Sequence, residues 1–167
     1  MIIERAAIAK YLIDKYDTAG RFKLNPDDKE NDVIREEELI SLGGNSMAPI
    51  FMIQMVFNLV RERSPFFIRP LVGSISTMVN NAFLNKEADS MISYLDGELK
   101  DRNYFLKTEN PTRVDFMMLW YLDFCAMAGN NLSKYSDVKA FIERCKARDA
   151  WKRSLEKGNG YDLSIKS

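Results

Sequence analysis

The side chains that this sequence lacks limit the chemistry that it can perform. Histidine is absent from all 167 residues, which excludes Ser-His-Asp and Cys-His catalysis and imidazole metal sites. Only two cysteines are present, Cys125 and Cys145, too few for a disulfide framework or a thiolate zinc site. We therefore predict no metal site, and any reaction would have to use carboxylates, hydroxyls or a partner domain.

Neither cysteine has the surroundings of a catalytic nucleophile. A reactive thiolate needs a helix N-terminus or basic neighbours that lower its pKa. Cys125 lies in an apolar stretch, and Cys145, although it stands between Arg144 and Lys146, shares the helical phase of Phe141. We expect both thiols to be structural, and we predict no catalytic residue in the chain.

Composition and charge indicate an intracellular globular protein. Apolar residues make up 46% of the chain, and 24 basic residues balance 24 acidic ones, so the charge does not favour nucleic acid. The charged start is unlike a signal peptide, and no apolar window reaches transmembrane length without a charge or a proline. We expect a cytoplasmic protein with no transmembrane segment and no nucleic-acid partner.

Residues 103–129 read as a turn, a helix start and a helix with almost no polar face. The pair Asn110-Pro111 ends whatever precedes it, because proline disfavours helical geometry in the residue before it. Thr112 and Asp115 have the spacing of a capping box, in which each side chain bonds the backbone N–H of the other residue. Since a helix that is apolar all round must be surrounded by other chain, we predict that this is the central helix of a helical domain.

Helices are predicted for the rest of the chain as well, because no segment alternates as a strand does. The predicted ranges are 4–17, 27–63, 66–84, 85–102, a short helix from Ser136 and a last one from Asp149 to Gly158. Gly43-Gly44 is expected to loosen the long second helix and Pro49 to kink it. The fold class is predicted to be all-α.

Three segments in order resemble the cytosolic glutathione S-transferases. The first, ERAAIAKYLIDKYD, is similar to the E-S-x-A-I-x-x-Y-L-x-x-x-Y segment of that family. The second, NYFLKTENPTRVDFMMLWYL, resembles the segment in which a capping box opens the buried sixth helix. The third, YSDVKAFIERCKARDAWKRSLEKG, is similar to the closing helices. SMAPIFMI and SPFFIRPLVGSI look most like the fungal branch near the microsome-associated yeast enzyme.

The resemblance implies a helical bundle of the C-terminal transferase type with one leftover N-terminal helix. Residues 1–17 would be the remnant last helix of a thioredoxin-like domain, 18–28 a linker, 29–160 the helical domain and 161–167 a tail. The thioredoxin-like domain, which activates the glutathione thiol in the family, would then be missing.

The resemblance also implies site residues. In the family a Glu-Ser pair at the start of the first segment binds the γ-glutamyl end of glutathione. Glu4 matches the glutamate, and Arg5 replaces the serine, so an arginine–carboxylate pair is expected in its place. The electrophile pocket would be lined by Ser46, Met47, Pro49 and Met52. A methionine at helical spacing is also a common core residue, and that interpretation stays open.

Two functions of different class follow. The first is conjugation of glutathione to apolar electrophiles by a homodimer, with glutathione as co-substrate, no resident cofactor and contact with internal membranes at most peripheral. The 167 residues alone would be inactive, because the thiol-activating domain is absent. The second is a non-catalytic helical module that binds another protein. For the fold, a bundle unrelated to the family is the alternative, and it predicts that 4–17 packs against the bundle.

Overall fold

The computed structural model describes residues 2–24, 33–158 and 160, and every regular element within them is helical. The α-helices are α1 Arg5–Tyr16, α2 Val33–Ser41, α3 Ala48–Arg63, α4 Arg69–Val79, α5 Asn85–Leu99, α6 Arg113–Met127, α7 Ser136–Ala147 and α8 Asp149–Lys157. The all-α prediction is confirmed. The predicted tail, the second half of the predicted linker and the predicted start of the second helix lie outside the described residues.

Two π-helical turns join the helices in pairs. Leu42–Met47 connects α2 to α3, and Asn80–Leu84 connects α4 to α5, so that 33–63 and 69–99 each form one long helix. The predicted loosening at Gly43-Gly44 therefore takes the form of a π-helical turn, which widens the helix without ending it. Pro49 follows in the first turn of α3, directly after this change of register.

The helix Val33–Arg63 has a composition that would also suit a membrane. It is 31 residues long and includes an 18-residue window of mean hydropathy 1.4, of which 33% is buried inside the domain. Core helices of globular proteins often pass the same test of length and composition. The finding is therefore weak evidence of a membrane span.

The central helix of the domain is α6. Ten of its 15 residues are buried, and it packs against α1, α2, α3 and α7. Phe51 from α3, Leu95 from α5 and Phe141 from α7 are fully buried in the same core. This arrangement confirms the prediction that other helices surround the apolar stretch.

The predicted capping box opens α6. The backbone N–H of Thr112 donates to Oδ2 of Asp115 at 2.7 Å, and the Thr112 hydroxyl lies 3.0 Å from the same oxygen. The other carboxylate oxygen accepts from the N–H of Phe105 at 3.0 Å. Asp115 therefore fixes the start of the helix and the buried loop before it with one side chain.

A buried arginine joins α6 to α2. Arg113 is 6% exposed, and its Nη2 donates to Oε2 of Glu36 at 2.8 Å and to a carboxylate oxygen of Glu37. A guanidinium taken out of water needs such partners, because a buried unpaired charge is strongly destabilising. The pair of glutamates thus holds the first turn of α2 on the first turn of α6.

Apolar residues on three helices point outward instead of into the core. In α1 no residue is buried, although Ala6 and Ala9 pack against the core through α6. On α4, Leu71 and Met78 are each 65% exposed. Further exposed apolar residues on α3 are Met52, Ile53, Val56 and Val60.

The helix predicted to start at residue 66 begins three residues later, after an exposed turn.

Candidate functional site

The predicted glutathione-binding pair lies against the central helix. Glu4 and Arg5 are exposed at the start of α1, and Glu4 has a φ of 75°, which is rare for a residue with a side chain. The guanidinium carbon of Arg5 lies 3.3 Å from the centre of the Trp120 ring and 5.3 Å from the centre of the Tyr121 ring. Arg5 therefore stacks on two aromatic rings of α6.

The π-helical turn meets α6 at the same tyrosine. A Cβ added to Gly43 would lie 2.4 Å from Cδ2 of Tyr121, and one added to Gly44 would lie 3.1 Å from its hydroxyl oxygen. Gly43 therefore lets the backbone of the turn approach the ring more closely than a residue with a Cβ could, and at Gly44 a Cβ would fit only tightly. We call Arg5, Gly43, Gly44, Trp120 and Tyr121 the α6 junction.

The α6 junction combines groups that recognise a polar molecule with an apolar part. The guanidinium of Arg5 can pair with a carboxylate, and the half-buried Trp120 ring, one face of which Arg5 covers, adds apolar surface. Tyr121 is only 5% exposed, and its ring is the surface against which the π-helical turn packs. π-Helical turns often occur at functional sites, and this one forms a wall of the junction.

The four residues predicted to line an electrophile pocket lie in two environments. Met47 is fully buried in the core beside α6. Ser46 and Pro49 are exposed, and Met52 is 48% exposed on the outer face of α3. The structure thus separates Met47 from Met52, and it is the glycines of the same turn that reach the α6 junction.

Trp120 and Tyr121 are the site residues that sequence reasoning missed. In a helix with almost no polar face, the pattern gives no sign of which residue faces which neighbour. The available signal was the pair Gly43-Gly44 within a helix, since glycine lets the backbone approach a large side chain on a neighbouring element. The glycine pair alone does not show which residue lies opposite it.

The two thiols are structural, as predicted. Cys125 is fully buried and Cys145 is 7% exposed, and both are free. Burial raises the pKa of each thiol to about 12, so neither forms a thiolate near neutral pH.

The residues that the structure describes, 2–24, 33–158 and 160, form no cluster of potential metal ligands. No group of three or more cysteine, aspartate and glutamate side chains in these ranges is placed to hold a metal ion.

A family comparison covers the centre of this architecture. Residues 80–149 match the family model described as glutathione S-transferase, C-terminal domain, a range that includes α5, the capping box, α6 and α7. The central part of the chain is therefore similar to the C-terminal domain of glutathione S-transferases. Glutathione S-transferase 3 of Schizosaccharomyces pombe (strain 972 / ATCC 24843) is 25% identical over 164 residues, which are 98% of this chain and 66% of that protein.

Solved structures of glutathione S-transferases share the fold. One from Actinobacillus pleuropneumoniae superposes with a TM-score of 0.68 at 17% identity, over 95% of this chain and 65% of that chain. One from Pseudomonas fluorescens gives 0.64 at 18% identity, over 89% and 65%. A sphingomonad transferase complexed with glutathione gives 0.66 at 17% identity, over 93% and 67%.

The extent of these matches decides between the two folds considered. The chain spans just under two thirds of the length of Schizosaccharomyces pombe glutathione S-transferase 3 and of the Actinobacillus transferase. Because the superposition covers nearly the whole chain, the chain has the fold of these solved structures and not that of an unrelated bundle. The packing of α1 on α6, which that alternative predicted, is also present.

Proposed function

We propose that this chain serves glutathione transfer, with its helical domain forming the surface on which glutathione and an apolar electrophile are held. The observation that carries the proposal is the convergence of Arg5 and the π-helical turn on Tyr121. Arg5 would pair with a carboxylate of the tripeptide, and Trp120 would pack against the apolar part of the electrophile. Glu4 would accept from the α-ammonium group of the γ-glutamyl residue.

Conjugation also needs an activated thiol. The glutathione sulfur attacks as a thiolate, forms a carbon–sulfur bond and displaces the leaving group of the electrophile, so a group must hold that thiolate near neutral pH. The described residues contribute two buried thiols with pKa values near 12 and no histidine. We therefore propose that the 167 residues bind the substrates but do not catalyse their conjugation.

Two measurements on the purified chain test the proposal. With glutathione and a chlorodinitrobenzene, product should form only at the uncatalysed rate, and any acceleration by the chain would contradict the inactivity.

In a calorimetric titration, S-hexylglutathione should bind, and Arg5→Ala should weaken its affinity about tenfold through the lost ion pair. Arg153→Ala, an exposed arginine on α8, is the matched control and should leave the affinity unchanged. Absence of binding by the unaltered chain would contradict the function.

A homodimer is part of the proposal. The outer faces of α3 and α4 lie side by side and expose Val56, Leu71 and Ile75, at 46%, 65% and 45%. Contiguous apolar patches of this kind are unusual on soluble monomers and mark interfaces. A second copy of the same face would bury it through a two-fold axis. A chain that binds no glutathione analogue would favour the alternative, a non-catalytic interaction module. A strictly monomeric chain would argue against both the dimer and an obligate partner.

We propose a cytoplasmic location with peripheral membrane contact. Phe66 and Phe67, in the turn between α3 and α4, are 82% and 70% exposed, and Arg61 and Arg63 stand in the helical turn before them. Aromatic rings beside basic side chains suit the surface of an anionic bilayer. Vesicles that contain phosphatidylserine should sediment the chain but not a Phe66→Ser/Phe67→Ser variant. Equal sedimentation of both would contradict the membrane contact.

A further inference from the structure

A polar cavity lies where α6 ends, between α5 and the loop that leads to α7. Its volume is about 490 Å³, and all of its lining residues except Ile92 and Gly129 have polar or charged side chains. This volume falls within the range of small-molecule sites. None of the lining residues belongs to the α6 junction or to the exposed faces of α3 and α4, so neither glutathione transfer nor the proposed homodimer accounts for the cavity.

Part of the lining is held by a network of three amide side chains. Gln54 of α3 is 3% exposed, and its Nε2 donates to Oδ1 of Asn85 at 3.1 Å and to Oδ1 of Asn130 at 3.3 Å. Nδ2 of Asn130 donates back to Oε1 of Gln54 at 2.8 Å and to the carbonyl oxygen of Cys125 at 3.1 Å. The buried glutamine therefore fixes both asparagines, so a ligand meets amides that are already in place.

A second part of the lining is an ionic cluster with little net charge. The carboxylate of Asp89 accepts from the ammonium group of Lys134 and from the hydroxyl of Tyr135. The bond from Lys134 keeps the pKa of the Asp89 carboxyl below its ordinary value, so the two residues are charged and neutralise each other. Lys86 adds one positive charge, and the C-terminal end of α6 beside Gly129 adds partial negative charge from its carbonyl groups. An ion of either sign would therefore gain little from this cavity.

The asparagines of the lining can both donate to a ligand and accept from it. An asparagine amide has two donor hydrogens and two acceptor lone pairs. Asn85 uses one hydrogen in a 3.0 Å bond to Oδ1 of Asn81 and one lone pair in the bond from Gln54. Asn131 accepts from the N–H of Ser133 at 2.9 Å, a bond that orients its amide without using the amide hydrogens. Paired donors and acceptors of this kind match hydroxyl groups, which also donate and accept.

We propose that this cavity binds the pyranose ring of a neutral sugar, with the ring hydroxyls on Asn85, Asn130 and Asn131. Adjacent hydroxyls on one ring can use the donor and the acceptor of an amide at once. The buried side chain of Ile92 gives the C–H face of the ring an apolar surface. A phosphate or a carboxylate could use the donors alone, and it would also meet the negative charge of Asp89. The site is independent of the proposed glutathione transfer.

The test is a calorimetric titration of the 167-residue chain with glucose, galactose and mannose. At least one of these sugars should bind with a dissociation constant of about 1 mM, and cyclohexanol, which has a six-membered ring but a single hydroxyl, should bind at least about tenfold more weakly. Inorganic phosphate should not compete with the sugar. The methyl glycoside of the bound sugar separates two sources of the ligand. Undiminished binding would indicate the sugar of a glycoside and weaker binding a free sugar, and either result supports the proposal.

Substitutions locate the bound sugar. Asn85→Ala and Asn131→Ala should each weaken its binding about tenfold through lost hydrogen bonds. Asn110→Ala, at an exposed asparagine before α6, is the matched control and should leave the affinity unchanged. Circular dichroism verifies the fold of each variant, and if Asn85→Ala does not fold, Asn131→Ala on the exposed loop decides the question.

Three results would overturn the proposal. The first is the absence of binding by all three sugars. The second is binding that survives both substitutions in the cavity. The third is displacement of the sugar by phosphate, which would indicate an anion site, or by S-hexylglutathione, which would place the sugar at the α6 junction instead.

Discussion

Asp115 shows how a single carboxylate holds two segments of the domain together. It is 1% exposed and accepts from three donors, the N–H groups of Phe105 and Thr112 and the hydroxyl of Thr112. Burial opposes its ionisation and the three donors favour it. The capping spacing in the sequence predicted the Thr112 partner but not Phe105, which follows from the path of the loop.

The first prediction concerns the loss of this carboxylate. Asp115→Ala should lower the free energy of unfolding by about 3–5 kcal/mol, because it leaves three donors without an acceptor inside the protein. Asp149→Ala, an exposed acidic residue in the first turn of α8, is the control and should cost about 0.5 kcal/mol. Urea denaturation measures both. A loss below about 1 kcal/mol at Asp115 would show that the box contributes only as an exposed cap does.

The second prediction concerns the titration of the same residue. Burial raises the pKa of Asp115 from 3.8 to about 6. The folded state therefore holds this proton more tightly than the unfolded state does. The stability that the protonated group contributes is complete below about pH 4 and is lost as the pH rises through 6. Carbon NMR of the side-chain carboxyl should give a midpoint near pH 6, and a midpoint at or below 4 would contradict it.

At the scale of elements, the α6 junction depends on how closely the π-helical turn approaches α6. The close approach is possible because Gly43 and Gly44 have no side chain where the Tyr121 ring lies. The π-helical turn also sets the position of α3. Phe51 of α3 packs edge to face on Phe124 of α6, with 6.2 Å between the ring centres. A substitution at Gly43 should therefore disturb the packing of α3 against α6 throughout their contact.

The third prediction tests this contact. Gly43→Ala should destabilise the protein by about 2 kcal/mol or more, because its Cβ would overlap the Tyr121 ring and force a shift in a packed region. Gly97→Ala in α5, where an added Cβ meets nothing within 4 Å, should instead stabilise it by about 0.5–1 kcal/mol. In a Tyr121→Ala background the cost of Gly43→Ala should largely disappear. Additive effects of the two substitutions would show that they do not touch.

The sequence predicted where α6 begins better than it predicted which parts of the chain contact it. Pro111, Thr112 and Asp115 act within a few residues of each other, so their spacing alone located the start of α6. The orientation of Trp120 and Tyr121 depends on α1 and on the π-helical turn, which are distant in the chain. Likewise, periodicity identified the apolar face of α4, but whether other chain covers such a face is a tertiary property. The exposure of the α4 face therefore escaped prediction, as did the positions of Trp120 and Tyr121.

At the scale of the whole molecule, apolar surface lies on two sides of the domain. One side is the outer face of α3 and α4, and the other is α1, where Leu12 is 48% and Tyr16 is 65% exposed. Burying apolar area is the main driving force of association. The domain as described is therefore built to make further contacts, which the proposed homodimer provides on the first side.

The fourth prediction concerns that association. Leu71→Asp should convert a dimer into a monomer in multi-angle light scattering, because the carboxylate would be buried without a partner between the two copies. Ile3→Asp, at a residue of nearly equal exposure outside the helices, should leave the mass of the dimer unchanged. A monomeric unaltered chain, or a dimer that survives Leu71→Asp, would contradict an interface at this face.

A glutathione conjugate is proposed to meet this domain at the α6 junction. NMR of the isotope-labelled chain during titration with S-hexylglutathione tests this contact. We expect the indole N–H signal of Trp120 and the guanidinium Nε–H signal of Arg5 to shift together, while the methyl signal of Met78 on α4 stays in place. An unchanged Trp120 signal at saturating ligand, or shifts confined to α4, would contradict it.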